Sequence, residues 1–242
     1  MHYDALVIGG GVVGASVAYH LVRGGARTLL IDRDDAGRAT SAGAGILAPE
    51  TSSRSSDAWF AFAVPAVDYY PTLINDLAAD GAGDTGYAVC GQLEVAVSED
   101  EVEPYAEARQ IIFARQQQRG TPAPEDLHEV SSAEARQLFP PLADVRGALF
   151  YRHAARVDGR LLAAALRQAA VTRGLEVRAA SVERLAVQND TVTGAVVDGT
   201  TITADAVAIA GGAWSAAFGA QLGVHIPVEP QRGQIIHLDL PG

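Results

Sequence analysis

The stretch Ala5-Leu-Val-Ile-Gly-Gly-Gly-Val-Val-Gly14 decides the fold of this chain. Its first four residues, 5–8, form a short apolar run of the kind found in a buried parallel strand. Gly9, Gly11 and Gly14 then make a G-x-G-x-x-G that opens a helical stretch. In such a motif the first glycine permits a tight turn, the second lets the backbone approach a pyrophosphate, and the third lets helix and strand pack closely. The pattern predicts a dinucleotide-binding βαβ unit.

The residues after the motif support this prediction. Gly24-Gly25 end the helix, residues 27–31 form the next strand, and that strand finishes on Asp32, where an acid commonly binds the ribose hydroxyls. The N-terminus of the first helix offers N–H groups and a partial positive charge to phosphates. Val12 and Val13 are therefore predicted, with the three glycines, at the pyrophosphate. The motif alone does not choose between a nicotinamide and a flavin dinucleotide.

Composition narrows the class of protein. The 242 residues carry 18 Lys+Arg against 29 Asp+Glu, a net charge of −11, which argues against nucleic acid or an anionic membrane as a partner. The basic residues are all arginine, so a lysine Schiff base is excluded within this sequence. The single cysteine, Cys90, permits no internal disulfide. With no apolar run near ~18 residues and no signal peptide, we expect a cytoplasmic location.

A segment of small residues follows Asp32. Residues 36–49, AGRATSAGAGILAP, contain too few large side chains to build a core. Alanine and glycine expose backbone N–H groups, and Thr40 and Ser41 add hydroxyls, so a flat ring system could lie against this backbone. The alternative is a flexible linker, which the ordered ending Ile46-Leu-Ala-Pro49 disfavours.

The glycine motif, Asp32 and the segment Thr40–Pro49 together resemble the flavin-dependent amine oxidases of the glycine oxidase and D-amino-acid oxidase family, and the small-residue segment is similar to the glycine oxidase branch. The resemblance implies FAD as cofactor and an α/β fold: a Rossmann-like FAD-binding domain of the GR2 type with an inserted α+β substrate-binding domain. It places the FAD-binding domain at 1–50 and 153–224, and the substrate-binding domain at 51–152 and 225–242.

The remaining chain is consistent with this division. Residues 57–79 are predicted helical with interruptions at Pro65 and Pro71, and their aromatic residues are more typical of core than of a pocket. A strand is predicted over 88–97. Further strands are predicted over 147–151, 175–178, from 181, over 192–197, over 201–203, over 206–210 (buried) and over 235–240. Helices are predicted over 98–119 and 131–139, each with a capping box, and over 158–174 with Asp158 as the N-cap.

The resemblance also assigns contacts. It places Asp32 at the ribose with Arg33 beside it, Val182 at the adenine through its backbone, and Gly211 at the closing wall of the site. It brings the small-residue segment to the flavin through Ala39, Thr40, Ser41, Ala44, Gly45 and Ile46. Substrate contacts are assigned to Ile46 and to Arg54 as a carboxylate partner, although a surface arginine is the more ordinary interpretation of Arg54. The six histidines show no metal spacing, and we predict neither a metal site nor a named catalytic base.

The reaction implied by the resemblance is oxidation of the C–N bond of glycine, an N-substituted glycine such as sarcosine, or a D-amino acid, with O₂ as the final acceptor and H₂O₂ as product. Three alternatives stay open: a flavin dehydrogenase with another electron acceptor, an NAD-dependent dehydrogenase, and a non-catalytic fragment. Family members continue beyond the point where this sequence stops, so we expect a fragment, a proteolysed chain, or one piece of a split protein whose second chain carries the remainder. A homo-oligomer is the other assembly that we expect.

Overall fold

The computed structural model describes residues 2–53 and 56–231. The strands are β1 (His2–Ile8), β2 (Thr28–Asp32), β3 (Ile46–Leu47), β4 (Ala88–Val89), β5 (Gln92–Ala96), β6 (Leu127–Glu129), β7 (Gly147–Tyr151), β8 (Ala155–Arg156), β9 (Glu176–Ala179), β10 (Val182–Gln188), β11 (Thr191–Val197) and β12 (Thr200–Ile209). The α-helices are α1 (Val12–Arg23), α2 (Asp57–Asp68), α3 (Tyr70–Ala79), α4 (Val102–Arg119), α5 (Ser132–Leu138), α6 (Gly159–Thr172) and α7 (Gly219–Leu222).

The described residues divide into two compact units. The first unit contains residues 2–44, 74–86 and 158–231, and the second contains residues 45–53, 56–73 and 87–157. The first unit thus includes a piece, 74–86, that lies within the sequence span of the second.

The first unit is built on a six-stranded sheet in the order β10-β11-β12-β1-β2-β9. The strands β12, β1, β2 and β9 run parallel, while β10, β11 and β12 form an antiparallel meander. Ile8 pairs with Ile31 on one side and with Ile209 on the other, so these strands end at the same edge of the sheet. Ligands of open α/β sheets bind beyond the carboxyl ends of the strands, so this edge is where a site is expected.

Helices α1 and α6 pack against each other through small residues. Ala15 and Ala18 on α1 and Ala165 and Ala169 on α6 are almost fully buried. Small side chains let the two helix backbones approach, and the apolar residues of β1 and β2, such as Leu30, fill the core beneath.

The second unit contains two three-stranded antiparallel sheets, β3-β8-β4 and β5-β7-β6. Helix α4 packs on the β5-β7-β6 sheet, with Ile112, Leu127 and Leu149 at the centre of its core. Ser98 with Glu101 and Ser131 with Glu134 form the two predicted capping boxes. The predicted α/β class is confirmed by this architecture and by the comparisons given below.

Two predicted strands are wrong in detail. The single strand predicted over 88–97 is divided at Gly91, whose φ of +73° turns the chain out of one sheet and into the other. The strand predicted over 206–210 is the end of the longer β12, and it is half-buried or exposed from Asp205 onward. Alanine and valine composition cannot show whether a neighbouring element covers a strand. The predicted strand over 235–240 lies outside the described residues.

Candidate functional site: a dinucleotide cradle

The turn after β1 is closed by glycines that have no room for a side chain. Gly9 has φ +105°, and a Cβ on it would lie 2.5 Å from the carbonyl oxygen of Ala210. A Cβ on Gly14 would lie 1.8 Å from the carbonyl oxygen of Gly9. The Gly9 N–H donates to the Ile31 carbonyl at 2.8 Å, which ties the turn to the next strand. The turn is therefore as tight as the G-x-G-x-x-G motif predicts.

Helix α1 begins at this turn. Gly11 is its N-cap, and neither that residue nor an acid in the first turn supplies a side-chain cap. Instead the Val12 N–H donates to Oγ1 of Thr40 at 3.0 Å. The Val13 side chain is 64% exposed beside this end. The first turn of a helix leaves N–H groups without intrahelical partners, so this end can receive an anion.

The Asp32 carboxylate is held by three donors. Its Oδ2 accepts from the backbone N–H of Gly10, and its Oδ1 accepts from the Asp34 N–H at 2.6 Å and from the guanidinium of Arg38. The Arg38 guanidinium also donates to Asp34 at 2.7 Å. Asp32, at the end of the neighbouring strand, thus holds the glycine turn through its hydrogen bond with Gly10. This is also the position from which we predict that it contacts a ribose. Arg38 was missed in the sequence, because an arginine in a loop carries no sign of the partner to which it folds back.

Within the segment of small residues, Thr40 lies against the N-terminal ends of α1 and α6. Ala39–Ser41 form a 3₁₀ turn whose central carbonyl, that of Thr40, lies 2.6 Å from where a Cβ on Gly159 would be. Gly159 is the first residue of α6, so Thr40 contacts the N-terminal ends of both α1 and α6. Ala39, Ser41 and Ala44 are exposed. Exposed small residues leave the backbone accessible, as the prediction of a flavin-binding segment requires.

Asp158 caps α6. Its carboxylate accepts from the N–H groups of Arg160 at 2.8 Å and Leu161 at 3.2 Å. The hydrogen bond from the Arg160 side chain, together with these backbone bonds, lowers the pKa of Asp158. The predicted N-cap role is confirmed, and it accounts for this acid without a catalytic role.

The far end of the first unit's sequence also reaches the glycine turn. A Cβ on Gly9 would lie 2.9 Å from the Cα of Gly211. The nearby Trp214 is 47% exposed, and the guanidinium of Arg33 lies 5.8 Å from its ring centroid. Val182 begins β10 and packs against the sheet core. The structure therefore brings Gly211 to the motif, with Arg33 beside Trp214.

Gly45 and Ile46 belong to the second unit. Gly45 has φ +69° and its carbonyl accepts from the Val157 N–H at 2.9 Å. The Ile46 side chain is 65% exposed. Arg54, the predicted carboxylate partner, lies outside the described residues.

An apolar pocket of about 310 Å³ lies beside Ile46 in the second unit. It is lined by residues 46–49 and by side chains of α2 and α3 that include Trp59, Phe62, Ala66 and Tyr70. Trp59 is 47% and Phe62 is 76% exposed, whereas Phe60 between them is buried. The interpretation of this aromatic stretch as core is right for Phe60 and wrong for Trp59 and Phe62, because a helix places adjacent residues on different faces.

No group of three or more His, Cys, Asp or Glu side chains is placed to hold a metal ion within 2–53 and 56–231. Over the same ranges, no helix combines the length and apolar composition that a membrane span requires.

Comparison with known families matches residues 4–242 to the model described as "DAO: FAD dependent oxidoreductase". The chain belongs to this family. The resemblance drawn from the sequence is confirmed, and so is FAD as the family's cofactor.

The similar proteins include oxidases with named substrates. The chain is 38% identical over 237 residues to the uncharacterized oxidoreductase YurR of Bacillus subtilis and 30% identical over 244 residues to the glycine oxidase of Geobacillus kaustophilus. These alignments cover 97% and 99% of this chain and 62% of each relative. The crystal structure of iminodiacetate oxidase from Chelativorans sp. BNC1 superposes with a TM-score of 0.82 at 36% identity, covering 94% of this chain and 60% of that one. This DAO-family chain thus spans about three fifths of the length of these relatives.

The described residues fit FAD. The turn keeps its tight shape because a Cβ on Gly9 or Gly14 would collide with neighbouring backbone atoms, and the first turn of α1 carries no acid to repel a pyrophosphate. Asp32 lies at the end of the adjacent strand, where the ribose of a dinucleotide binds in this fold.

Proposed function

We propose that the whole protein oxidises the C–N bond of a small amine that carries a carboxylate on the adjacent carbon. Support comes from the relatives: one is named for glycine and one for iminodiacetate, and both compounds have this arrangement of amine and carboxylate. The observation that carries the proposal is the glycine cradle of the first unit in a DAO-family chain.

The balanced reaction consumes the amine, water and O₂. The amine loses a hydride from its α-carbon and a proton from nitrogen, which leaves an imine, and water hydrolyses the imine to an oxo acid and ammonia or a primary amine. When bound, FAD would supply the two-electron acceptor for this oxidation, and O₂ would take up the two electrons with two protons as H₂O₂.

The site residues predicted from the sequence would hold and orient the cofactor. We assign the pyrophosphate to the N-terminus of α1, the ribose to Asp32 with Arg33 beside it, and the adenine to the backbone of Val182. The flavin end is assigned to the backbone of the small-residue segment, with Gly211 closing the site. The residues assigned to the pyrophosphate are Gly9, Gly11, Val12, Val13 and Gly14. The residues assigned to the flavin are Ala39, Thr40, Ser41, Ala44, Gly45 and Ile46.

The domain roles follow from this assignment. We propose that 1–50 and 153–224 form the FAD-binding domain and that 51–152 and 225–242 form the substrate-binding domain. The substrate would then contact Ile46 and Arg54. A cytoplasmic location and assembly with a second copy or a second chain stay predictions, and light scattering of the purified protein measures the assembly.

The test has two stages. The purified protein is first examined for the visible absorbance of a flavin, and a colourless protein that binds NAD and takes up no FAD would contradict the proposal. The flavin-loaded protein is then mixed without oxygen with glycine, sarcosine, iminodiacetate and D-alanine. We expect at least one to bleach the absorbance, and readmitted O₂ to yield one H₂O₂ per amine oxidised. Bleaching without peroxide would identify a dehydrogenase with another acceptor.

A further inference from the structure

The Asp32 carboxylate has few positions left for further hydrogen-bond donors. An ionised carboxylate offers two lone pairs on each oxygen, about four positions in all. Among residues 2–53 and 56–231, three donors take such positions: the Gly10 N–H at Oδ2, and the Asp34 N–H and the Arg38 guanidinium at Oδ1. Oδ1 is therefore saturated by the described residues, and Oδ2 has one position left.

The two donors at Oδ1 are held in place by the loop that follows β2. Asp34 has φ +62°, a left-handed conformation that aspartate adopts more readily than most residues, and its N–H is directed at Oδ1. The Arg38 guanidinium also donates to the Asp34 carboxylate at 2.7 Å and, through Nε, to the Asp35 carbonyl at 3.2 Å. Three acceptors thus fix the guanidinium of Arg38 against Oδ1.

The Oδ2 atom is enclosed by the glycine turn. A Cβ on Gly10 would lie 2.8 Å from Oδ2 and 2.9 Å from Cγ of Asp32. The G-x-G-x-x-G motif leaves position 10 free, so the carboxylate and not the motif requires a glycine there. The Asp32 side chain is 11% exposed. A ligand can therefore reach only part of the carboxylate.

An adenosine ribose has more donors than this carboxylate can accept. Its 2′- and 3′-hydroxyls can each donate to one lone pair. With one position left on Oδ2, Asp32 accepts from one hydroxyl for as long as Arg38 stays on Oδ1. The bond between Arg38 and Asp32 joins two ionised groups, whereas a hydroxyl is neutral, so the hydroxyl is the weaker competitor for Oδ1.

We propose that Arg38 restricts Asp32 to one hydroxyl of the adenosine ribose and so determines which nucleotides the site accepts. The inference rests on the proposed function, through the assignment of the ribose to Asp32. Arg38 is a positioning residue, because it acts through the acid. A flavin dinucleotide that lacks the contacted hydroxyl then binds poorly, whereas one that lacks the other hydroxyl binds as FAD does.

The first experiment compares FAD with two analogues, in which the adenosine half carries a 2′-deoxyribose or a 3′-deoxyribose. Dissociation constants for the flavin-free protein are measured from the quenching of flavin fluorescence, with no amine present. A hydrogen bond to a charged group contributes about a factor of ten or more to affinity. We expect this loss for one analogue and little change for the other. The measurement needs no variant.

The second experiment tests whether Arg38 is the cause. Arg38→Met removes the guanidinium and keeps an unbranched side chain, which frees a position on Oδ1. We expect both hydroxyls then to be bound, so that each analogue binds about tenfold or more weakly than FAD. Arg38→Lys keeps a cationic donor and should retain most of the preference for one hydroxyl.

Arg27→Met is the matched control. Arg27 immediately precedes β2, whereas Asp32 ends it, and the guanidinium of Arg27 pairs with Glu176 at 3.2 Å. The variant removes the same charge from the other end of the strand, so the ratios of the three dissociation constants should equal those of the unmodified protein.

The outcomes separate this inference from the proposed function. Equal losses for both analogues in the unmodified protein, or an unchanged preference in Arg38→Met, would overturn the inference and leave the ribose assigned to Asp32. No loss for either analogue would overturn that assignment and the inference with it. A preference for one hydroxyl that Arg38→Met abolishes, in a protein that oxidises no amine, would support the inference and overturn the proposed function.

Discussion

The Oγ1 of Thr40 lies 3.0 Å from the backbone nitrogen of Val12 and accepts its hydrogen bond, across 28 residues of sequence. The same threonine places its carbonyl against Gly159 at the start of α6. One residue of the small-residue segment thus joins the N-terminal ends of two helices at the proposed dinucleotide site. The segment is held in place by this contact, which a flexible linker would not make.

Thr40→Val keeps the shape of the side chain and removes the acceptor. The Val12 N–H then loses its partner, and we expect a loss of about 0.5–2 kcal/mol in the free energy of unfolding, as for a lost helix cap, together with weaker FAD binding. Thermal unfolding and quenching of flavin fluorescence measure the two effects. Thr40→Ser retains the hydroxyl and is the control, and an equal loss in both variants would show that the hydrogen bond does not matter.

Gly14→Ala is expected to be poorly tolerated even though the motif allows alanine at its third glycine in other proteins. The new Cβ would lie 1.8 Å from the Gly9 carbonyl oxygen, so the turn or the helix must shift. We expect destabilisation of about 1–3 kcal/mol or more and loss of bound flavin. In Gly83→Ala the nearest atom to the new Cβ is 3.8 Å away, so this control should unfold as the unmodified protein does. A Gly14→Ala protein of normal stability would contradict the geometry.

Asp80 joins three elements of the first unit. Its carboxylate accepts from the Tyr19 hydroxyl at 2.8 Å and from two nitrogens of Arg173 at 2.6 and 2.5 Å, and its side chain is 9% exposed. The bond with Arg173 is the main cause that holds the pKa of Asp80 below its usual value. A carboxyl with a lowered pKa in the folded state stabilises the protein above its unfolded pKa of about 4, and this contribution is lost as pH falls through the folded value.

Asp80→Asn should therefore cost about 1–3 kcal/mol at pH 7 and flatten the fall of stability below about pH 4. Denaturant unfolding between pH 3 and 7 measures both. Asp76→Asn removes a more exposed ion pair, with Arg23, and is expected to cost less than about 1 kcal/mol. Parallel pH profiles for Asp80→Asn and the unmodified protein would refute the role of Asp80.

Glu50 and Arg119 form a largely buried ion pair in the second unit. One nitrogen of Arg119 lies 3.0 and 2.7 Å from the two carboxylate oxygens, and Glu50 is 8% exposed. Burial raises the pKa of Glu50, and Arg119 acts in the opposite direction. A raised folded pKa means that the proton binds the folded state more tightly, so the contribution of Glu50 to stability falls as pH rises through that pKa.

Arg119→Met leaves the Glu50 charge buried without its partner, and we expect a loss of about 3 kcal/mol at neutral pH. The loss should shrink between pH 7 and 5, because protonation relieves the buried charge. The double variant Glu50→Gln with Arg119→Met should recover most of the stability. Urea unfolding at both pH values is the measurement, and a pH-independent loss would show that the arginine acts through packing on Phe60 instead.

Much of the first unit was predictable because its pattern is local. Gly9, Gly11 and Gly14 lie within one turn, and a strand before them and a helix after them are readable from neighbouring residues. The caps at Asp158, Ser98 and Ser131 are equally local, since each acceptor lies two or three residues from its donor.

The rest depended on contacts between distant residues. The sequence by itself determined the dinucleotide turn, the strand ending at Asp32 and the family. Only the tertiary structure decided that Arg38 folds back onto Asp32, that Thr40 caps α1, and that Phe60 is buried while Phe62 is exposed. The physical reason is that glycine's conformational freedom is a property of one residue, whereas the partner of a hydrogen bond and the burial of a ring are set by whatever the fold brings against them.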